Sequence, residues 1–155
     1  MLKGKKVLIV GLMSDRSIAY GIAQQMHSQG AELGFSYLER FADRVATLTK
    51  PWSPYLLTAC DLSNDDDIAS LVNQVVEKVS SIDVLVHSVA FAPRDHLEGN
   101  FLQNLTREGI NQAHDISSHS LPLLTKALLP HMNDNGSILT LTYLCLLYTS
   151  PSPRD

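Results

Sequence analysis

Short apolar runs alternate with segments of helical periodicity along the chain, and this alternation constrains the fold more than any other feature. The run at Lys6–Val10 is apolar and rich in β-branched residues, as expected of a parallel strand that is buried on both faces. Similar strands are predicted at 31–37, 55–60, 84–87 and 137–142. Strands that alternate with helices form a doubly wound α/β sheet. The predicted fold is such a parallel sheet, which stops after about the fifth strand.

Apolar residues recur at helical spacing in three of the intervening segments. The first helix is predicted to begin at Ser17 and to end before Gly30, and the second carries its apolar stripe at 68–79. The third is predicted to extend from Thr106 to about residue 132. Pro122 lies inside it, and a proline removes a helical hydrogen bond and clashes with the preceding turn. We therefore expect a kink at Pro122 or a helix divided into two pieces.

Composition excludes several classes of protein. The 155 residues carry 12 Lys and Arg against 16 Asp and Glu, without a basic cluster, which argues against a nucleic-acid surface. No apolar run approaches the ~20 residues that span a bilayer. Cys60 and Cys145 are too few for a disulfide framework, and the six histidines lack the paired spacing of metal ligands, so no metal site is predicted. A reducing cytoplasm is the expected location.

Ligands of doubly wound sheets bind at the carboxyl ends of the strands, so the residues that follow each strand are the candidates for a site. Gly11 permits a tight turn after the first strand. Ser17 offers a hydroxyl and an amide at a helix N-terminus, where a pyrophosphate is favoured. The same two residues are also typical of a plain glycine turn with a serine N-cap. The residues of this turn leave both interpretations open.

The ends of the second and third strands carry charged residues with two readings each. Glu39 is placed to accept from an adenosine ribose hydroxyl, whereas Arg40 or Arg44 would pair with a 2′-phosphate. All three are also ordinary residues of a solvated loop. Asp61 either bonds an adenine amino group or caps the following turn. None of these positions decides the function.

Taken together, the motifs at the strand ends resemble those of one family. The ordered set is SIAYG at 17–21, CDL at 60–62, HSVAFAP at 87–93, TREG at 106–109, AHDISS at 113–118 and LTLTYL at 139–144. It resembles the NADH-dependent enoyl-acyl-carrier-protein reductases, a divergent branch of the short-chain dehydrogenase/reductases. The resemblance is collinear over residues 1–144. It implies a Rossmann-type fold and an enzyme of fatty acid biosynthesis.

The resemblance also implies how the cofactor, NADH or NAD, would be held. Gly11, Ser17 and Ile18 would contact the pyrophosphate. Asp61 and Leu62 would contact the adenine. These assignments are expectations carried over from the family by position.

On the substrate side, the resemblance implies three further roles. Val89 would lie near the nicotinamide half of the cofactor, and Ala92 would contact the acyl group of a substrate linked to acyl carrier protein. Tyr143 would be the catalytic residue of this chain, the first of the family's two active-site tyrosines, lining the thioester. The implied reaction is hydride transfer to the β-carbon of a trans-2-enoyl thioester. Without the resemblance, Tyr143 is an aromatic residue that merely ends a strand.

The last residues depart from the family pattern. The family has a second tyrosine followed seven positions later by a lysine, whereas the last lysine here is Lys126. We therefore interpret 1–144 as an incomplete dinucleotide-binding domain, the N-terminal part of a longer parent. Residues 145–155 are expected to be foreign, read from an adapter or an assembly junction. The chain as written is expected to be inactive; the alternative is a non-catalytic NAD-binding module. The full-length parent is expected to be a homotetramer, without a nucleic-acid or membrane partner.

Overall fold

The computed structural model describes residues 1–142, and its centre is a sheet of five parallel strands in the order β3-β2-β1-β4-β5. The strands are β1 Lys6–Val10, β2 Glu32–Tyr37, β3 Leu56–Ala59, β4 Ile82–His87 and β5 Met132–Thr140. The predicted doubly wound parallel sheet is confirmed. Each of the first four strands lies within two residues of its predicted bounds at both ends.

Seven α-helices connect the strands in the described part of the chain. They are α1 Ile18–Ser28, α2 Ala42–Thr49, α3 Asp65–Val79, α4 Arg94–Leu97, α5 Phe101–Asn104, α6 Arg107–His114 and α7 Ser120–Leu128. Helices α2, α4 and α5 were not predicted. For α2 a signal existed, because Phe41, Val45 and Leu48 have helical spacing. The two four-residue helices α4 and α5 are too short to show a period.

The sheet is covered by helices on both faces, which gives it two apolar cores. On one face, α3 and α7 pack against the sheet through buried residues such as Leu71, Val75, Leu124 and Leu128. On the other face, α1 and α2 bury Ala19, Ala23 and Val45 against alternate residues of β1 and β2. Removing these apolar surfaces from water is the main force that holds the layers together.

The predicted long helix is divided, but the division lies before the proline. A π-helical segment, Asp115–His119, separates α6 from α7. Pro122 is the third residue of α7, where its ring would press on the carbonyl one turn back. A wider turn ahead of a proline relieves such a clash. The expectation of two pieces is therefore confirmed, with the break displaced toward the N-terminus.

Residues 133–136, directly before the predicted strand at 137–142, lie inside β5 as a bulge. Met132 pairs with Ile82 and Ser137 pairs with Val84, so the whole bulge stands opposite Asp83 alone. The Asp83 carboxylate accepts hydrogen bonds from Lys6 N (2.8 Å), Lys5 Nζ (2.8 Å) and Asn133 Nδ2 (3.1 Å). Burial alone would raise the pKa of Asp83, but these hydrogen bonds outweigh it and hold the pKa below its ordinary value.

An aromatic cluster packs α1 against β2. The Trp52 ring stacks on Phe35 of β2, with 5.8 Å between centroids, and lies 5.0 Å from the ring of Tyr20 in α1. Such offset aromatic pairs add to the stabilisation that comes from buried area alone.

Within residues 1–142, no helix has the length and apolar character needed to cross a bilayer.

Candidate functional site

The ends of β1 and β4 meet at Gly11, and this contact defines the centre of the candidate site. Gly11 has φ +96° and its N–H donates to Ser36 O (3.0 Å), which joins the end of β1 to β2. A Cβ on Gly11 would lie 2.7 Å from Val89 Cγ2 and closer still to Ser88 O. Only glycine fits here, on grounds of both backbone conformation and space. The strand order reverses between β1 and β4, and crevices at such points bind ligands.

Helix α1 begins beside this contact, with Ser17 as its N-cap. The Ser17 hydroxyl accepts from Tyr20 N (3.2 Å) and donates to Ser14 O (2.6 Å), and the Ser17 N–H donates to the same carbonyl (3.1 Å). Of the two interpretations of this turn, a pyrophosphate site or a glycine turn with a serine N-cap, the structure shows the N-cap. A role toward a pyrophosphate stays a prediction, because the Ser17 hydroxyl would first have to leave Ser14.

Two donors at the start of α1 have no partner among residues 1–142. The N–H groups of Ile18 and Ala19 point out of the first turn, as the first amides of a helix do, and donate no hydrogen bond to those residues. The Ile18 side chain is 65% exposed while Ala19 is buried in the core. The helix thus presents free amides beside an apolar surface, an arrangement suited to an anion that carries an organic group.

The ends of β2 and β3 form a cleft of about 300 Å³ that brings the predicted charged residues together. Its lining includes Glu39, Arg40 and Asp61. The Arg40 guanidinium lies 4.9 Å from the centroid of the Phe41 ring, a cation–π contact. Cys60 also lines the cleft, and burial, with Asp67 and Asp61 nearby, raises the pKa of its thiol to about 12. Cys60 is therefore a neutral thiol and not a nucleophile.

Asp61 caps the turn that follows β3. Its Oδ1 accepts from Ser63 N (2.9 Å) and Ser63 Oγ (2.7 Å), while Asp61 N donates to Asp67 Oδ2 (2.8 Å). The structure shows the turn cap, and the contact with adenine stays a prediction. Leu62 is buried in the core, and it also lines a second cleft of about 560 Å³ together with Asp61 and Asp115.

The last residue of β4, His87, is held in a buried polar network. His87 Nε2 lies 2.8 Å from Ser120 Oγ, and the Ser120 hydroxyl donates to Ile116 O (2.6 Å). Because the single proton of Ser120 goes to that carbonyl, Ser120 Oγ accepts from His87, and the hydrogen of the ring is on Nε2. Burial lowers the pKa of His87, so the ring is neutral. The sequence pattern alone gave neither His87 nor Ser120 a role of its own, although His87 opens the HSVAFAP motif.

The structure brings several of the predicted site residues close together, and one of them, Tyr143, falls outside the part of the chain that it describes. Gly11 touches Val89, and Glu39 shares a cleft with Asp61. Ala92, half-buried, follows on the same loop as Val89. Within residues 1–142, no three His, Cys, Asp or Glu side chains are grouped as a metal ion would require.

Comparison with known proteins tests the resemblance directly. A family model described as enoyl-(acyl carrier protein) reductase matches residues 11–153. The chain belongs to the enoyl-(acyl carrier protein) reductase family. The crystal structure of the enoyl-(acyl-carrier-protein) reductase (NADH) from Aquifex aeolicus superposes with a TM-score of 0.87 at 43% identity. That similarity covers 92% of this chain and 56% of the Aquifex chain.

Curated members of the reductase family show the same relation. The enoyl-(acyl-carrier-protein) reductase (NADH) of Neisseria meningitidis serogroup B is 42% identical over 153 residues, which are 97% of this chain and 59% of the relative. The corresponding protein of Nostoc is 44% identical over 147 residues, or 92% of this chain and 57% of the relative. The chain therefore spans somewhat more than half the length of these enoyl-(acyl carrier protein) reductases.

Proposed function

We propose that this chain binds NADH across the carboxyl ends of β1 to β4 and serves the reduction of an enoyl thioester carried by acyl carrier protein, a step of fatty acid biosynthesis. The observation that carries the proposal is the contact of Gly11 with Ser88 and Val89 at the point where the strand order reverses. Membership of the reductase family supports the same reading. In this proposal residues 1–144 are an incomplete dinucleotide-binding domain.

The residues present fit a dinucleotide. Because Gly11 has no Cβ, the end of β1 lies directly against Ser88 and Val89, so the two strand ends that would face the dinucleotide are close together. Gly11, Ser17 and Ile18 would hold the pyrophosphate, the Ser17 hydroxyl turning from Ser14 O to the ligand, and the unpartnered N–H group of Ala19 would add a further donor. Asp61 and Leu62 would hold the adenine, and Glu39 a ribose hydroxyl. Bound NADH supplies a hydride to the β-carbon of the trans-2-enoyl thioester.

The substrate side of the proposal rests on two residues. Ala92 would contact the acyl group, since it follows Val89 on the loop that leaves the end of β4. Reduction at the β-carbon places negative charge on the thioester oxygen, which needs a hydrogen-bond donor. The Tyr143 hydroxyl would line the thioester beside that oxygen. The homotetramer and the cytoplasmic location implied by the resemblance belong to this proposal as well.

A binding measurement tests the cofactor half of the proposal. Isothermal titration of the 155-residue chain with NADH is expected to show one site. Asp61→Ala is expected to weaken NADH binding about tenfold, because it removes the carboxylate that would accept from the adenine amino group. Asp43→Ala, on the exposed side of α2, is the matched control and should bind as the unsubstituted chain does. Absence of NADH binding in the folded chain would overturn the proposal.

Turnover separates binding from catalysis. The second tyrosine and the lysine of the family are absent from these residues, so we expect the 155-residue chain to bind NADH without oxidising it in the presence of a trans-2-enoyl thioester. The measurement is the loss of NADH absorbance with and without the thioester. Oxidation at the rate of an ordinary enzyme would contradict the expectation.

The alternative function is a non-catalytic NAD-binding module. Reading the source DNA across codon 144 distinguishes it from the reductase. A frame that continues through a tyrosine and a lysine with the family's spacing supports the reductase. A confirmed stop after codon 155 supports the module, because NADH binding would then be the whole activity of the chain.

A further inference from the structure

One hydroxyl group holds the loop that follows β4. Ser117 Oγ accepts from Phe91 N (2.9 Å) and donates to Phe91 O (3.1 Å), so both backbone polar groups of Phe91 are satisfied by the same side chain. Phe91 lies between Val89, which touches Gly11, and Ala92, the predicted contact of the acyl group. In the proposed function, Val89, two residues before Phe91, and Ala92, directly after it, are the loop residues that would contact the ligands.

The anchor is built on the π-helical segment. Ser117 belongs to Asp115–His119, and the carbonyl of Ile116 in the same turn accepts the Ser120 hydroxyl. Ser120 is fully buried and receives the hydrogen bond of His87, the last residue of β4. The wide turn thus holds the end of β4 through Ser120 and the loop beyond it through Ser117.

A second contact fixes the far end of the loop. The start of α6 packs so closely on it that a Cβ at Gly109 would lie 3.0 Å from Pro93 Cγ and collide with the ring of His96. Thr106, the N-cap of α6, also lies within hydrogen-bond distance of His96 Nε2 (3.3 Å from Thr106 N). Between the end of β4 and Pro93, Ser117 is the side chain that hydrogen-bonds to the loop backbone within residues 1–142.

We infer that Ser117 is a positioning residue that sets the backbone of the loop 88–93 and thereby the position of Val89 and Ala92 beside the nicotinamide half of the dinucleotide. This inference rests on the proposed function and adds a residue to it. Without the hydroxyl, two half-buried backbone groups of Phe91 lose their partners, and the loop moves to satisfy them. The adenine cleft is formed by the ends of β2 and β3 and does not involve Ser117.

The test compares a whole dinucleotide with its adenine half. For Ser117→Ala in the 155-residue chain, we expect the Kd of NADH to rise about tenfold while the Kd of ADP-ribose changes by less than about twofold. Amide hydrogen exchange at Phe91 should accelerate at least about tenfold. Ser117→Thr retains the hydroxyl and should restore both readouts. Ser118→Ala removes a hydroxyl from an exposed neighbour in the same turn and is the matched control.

The outcomes separate this inference from the proposed function. Equal weakening of NADH and ADP-ribose, or unchanged exchange at Phe91, would overturn the role of Ser117. If the unsubstituted chain binds neither ligand, the proposed function fails, and the exchange at Phe91 alone decides whether Ser117 holds the loop. If Ser117→Ala does not fold, Ser117→Cys, with a weaker hydrogen-bonding group of similar size, provides the same measurements.

Discussion

At the scale of single residues, Gly11 is the position where a substitution is expected to be most damaging. Its φ of +96° disfavours any side chain, and the Cβ of an alanine would meet Ser88 and Val89. We expect Gly11→Ala to lower the free energy of unfolding by about 2–4 kcal/mol, from left-handed strain and overpacking together. Urea denaturation measures it.

The control for this prediction is another glycine of the same region. Gly21 lies in α1, and a Cβ there would meet nothing within 4 Å. Gly21→Ala is therefore expected to stabilise the chain by about 0.5–1 kcal/mol through helix propensity. Equal effects of the two substitutions would refute the argument from space and conformation.

His87 is expected to make the free energy of unfolding depend on pH. Burial lowers its pKa in the folded chain, so below the ordinary value of about 6.5 the unfolded state binds a proton that the folded state does not. The free energy of unfolding should rise with pH up to about 6.5 and then level off. His87→Gln, which keeps a donor toward Ser120, should flatten the curve in this range. Urea titrations from about pH 5 to 8 measure this, with exposed His119→Gln as control.

At the scale of elements, the strands and the residues after them were predictable, because each buried strand is a local apolar run. The three predicted helices also followed from local periodicity. What the sequence could not show depends on distant partners. The π-helical segment and the anchors Ser117 and Ser120 acquire meaning only against β4 and its loop. The role of Asp83 likewise depends on Lys5 and Asn133, which are 78 and 50 residues away from it along the chain.

Asp83 links β4 to the start of β1 and to β5, at the end of the sheet opposite the candidate site. Asp83→Asn should lower the free energy of unfolding at pH 7 by about 1–3 kcal/mol, because charged hydrogen bonds to Lys5 and Lys6 are lost. The Asp83 pKa is lowered in the folded chain, so its contribution is present above the ordinary value of about 4 and is lost as the pH falls through the folded value. The difference between the two chains should therefore shrink in acid.

The comparison for Asp83 is another aspartate of the same bulge. Asp134 is exposed, and Asp134→Asn should leave the free energy of unfolding within about 0.5 kcal/mol of the unsubstituted chain. Chemical denaturation at pH 7 and in acid measures both variants. A loss that is the same at Asp83 and Asp134 would show that net charge, and not the network, is responsible.

At the scale of the whole molecule, both faces of the sheet are incompletely covered along β5. Ile138 and Leu139 point to opposite faces and are each 42% exposed. Exposed apolar edge strands promote association between copies. We expect the 155-residue chain to self-associate with rising concentration and Ile138→Lys to weaken this association, as measured by sedimentation velocity. Ala46→Lys adds the same charge on the exposed side of α2, and an equal effect from it would contradict a role for the edge.

The aromatic cluster beneath α1 has a practical consequence. Trp52 is the single tryptophan of the 155 residues, and it stacks on β2 while touching the helix whose first amides face the candidate ligand. Its emission therefore comes from one known place. A change in the wavelength or intensity of that emission would report a change in the packing of α1 against the sheet. The chain therefore contains an intrinsic fluorescent probe of the helix that would bind a phosphate.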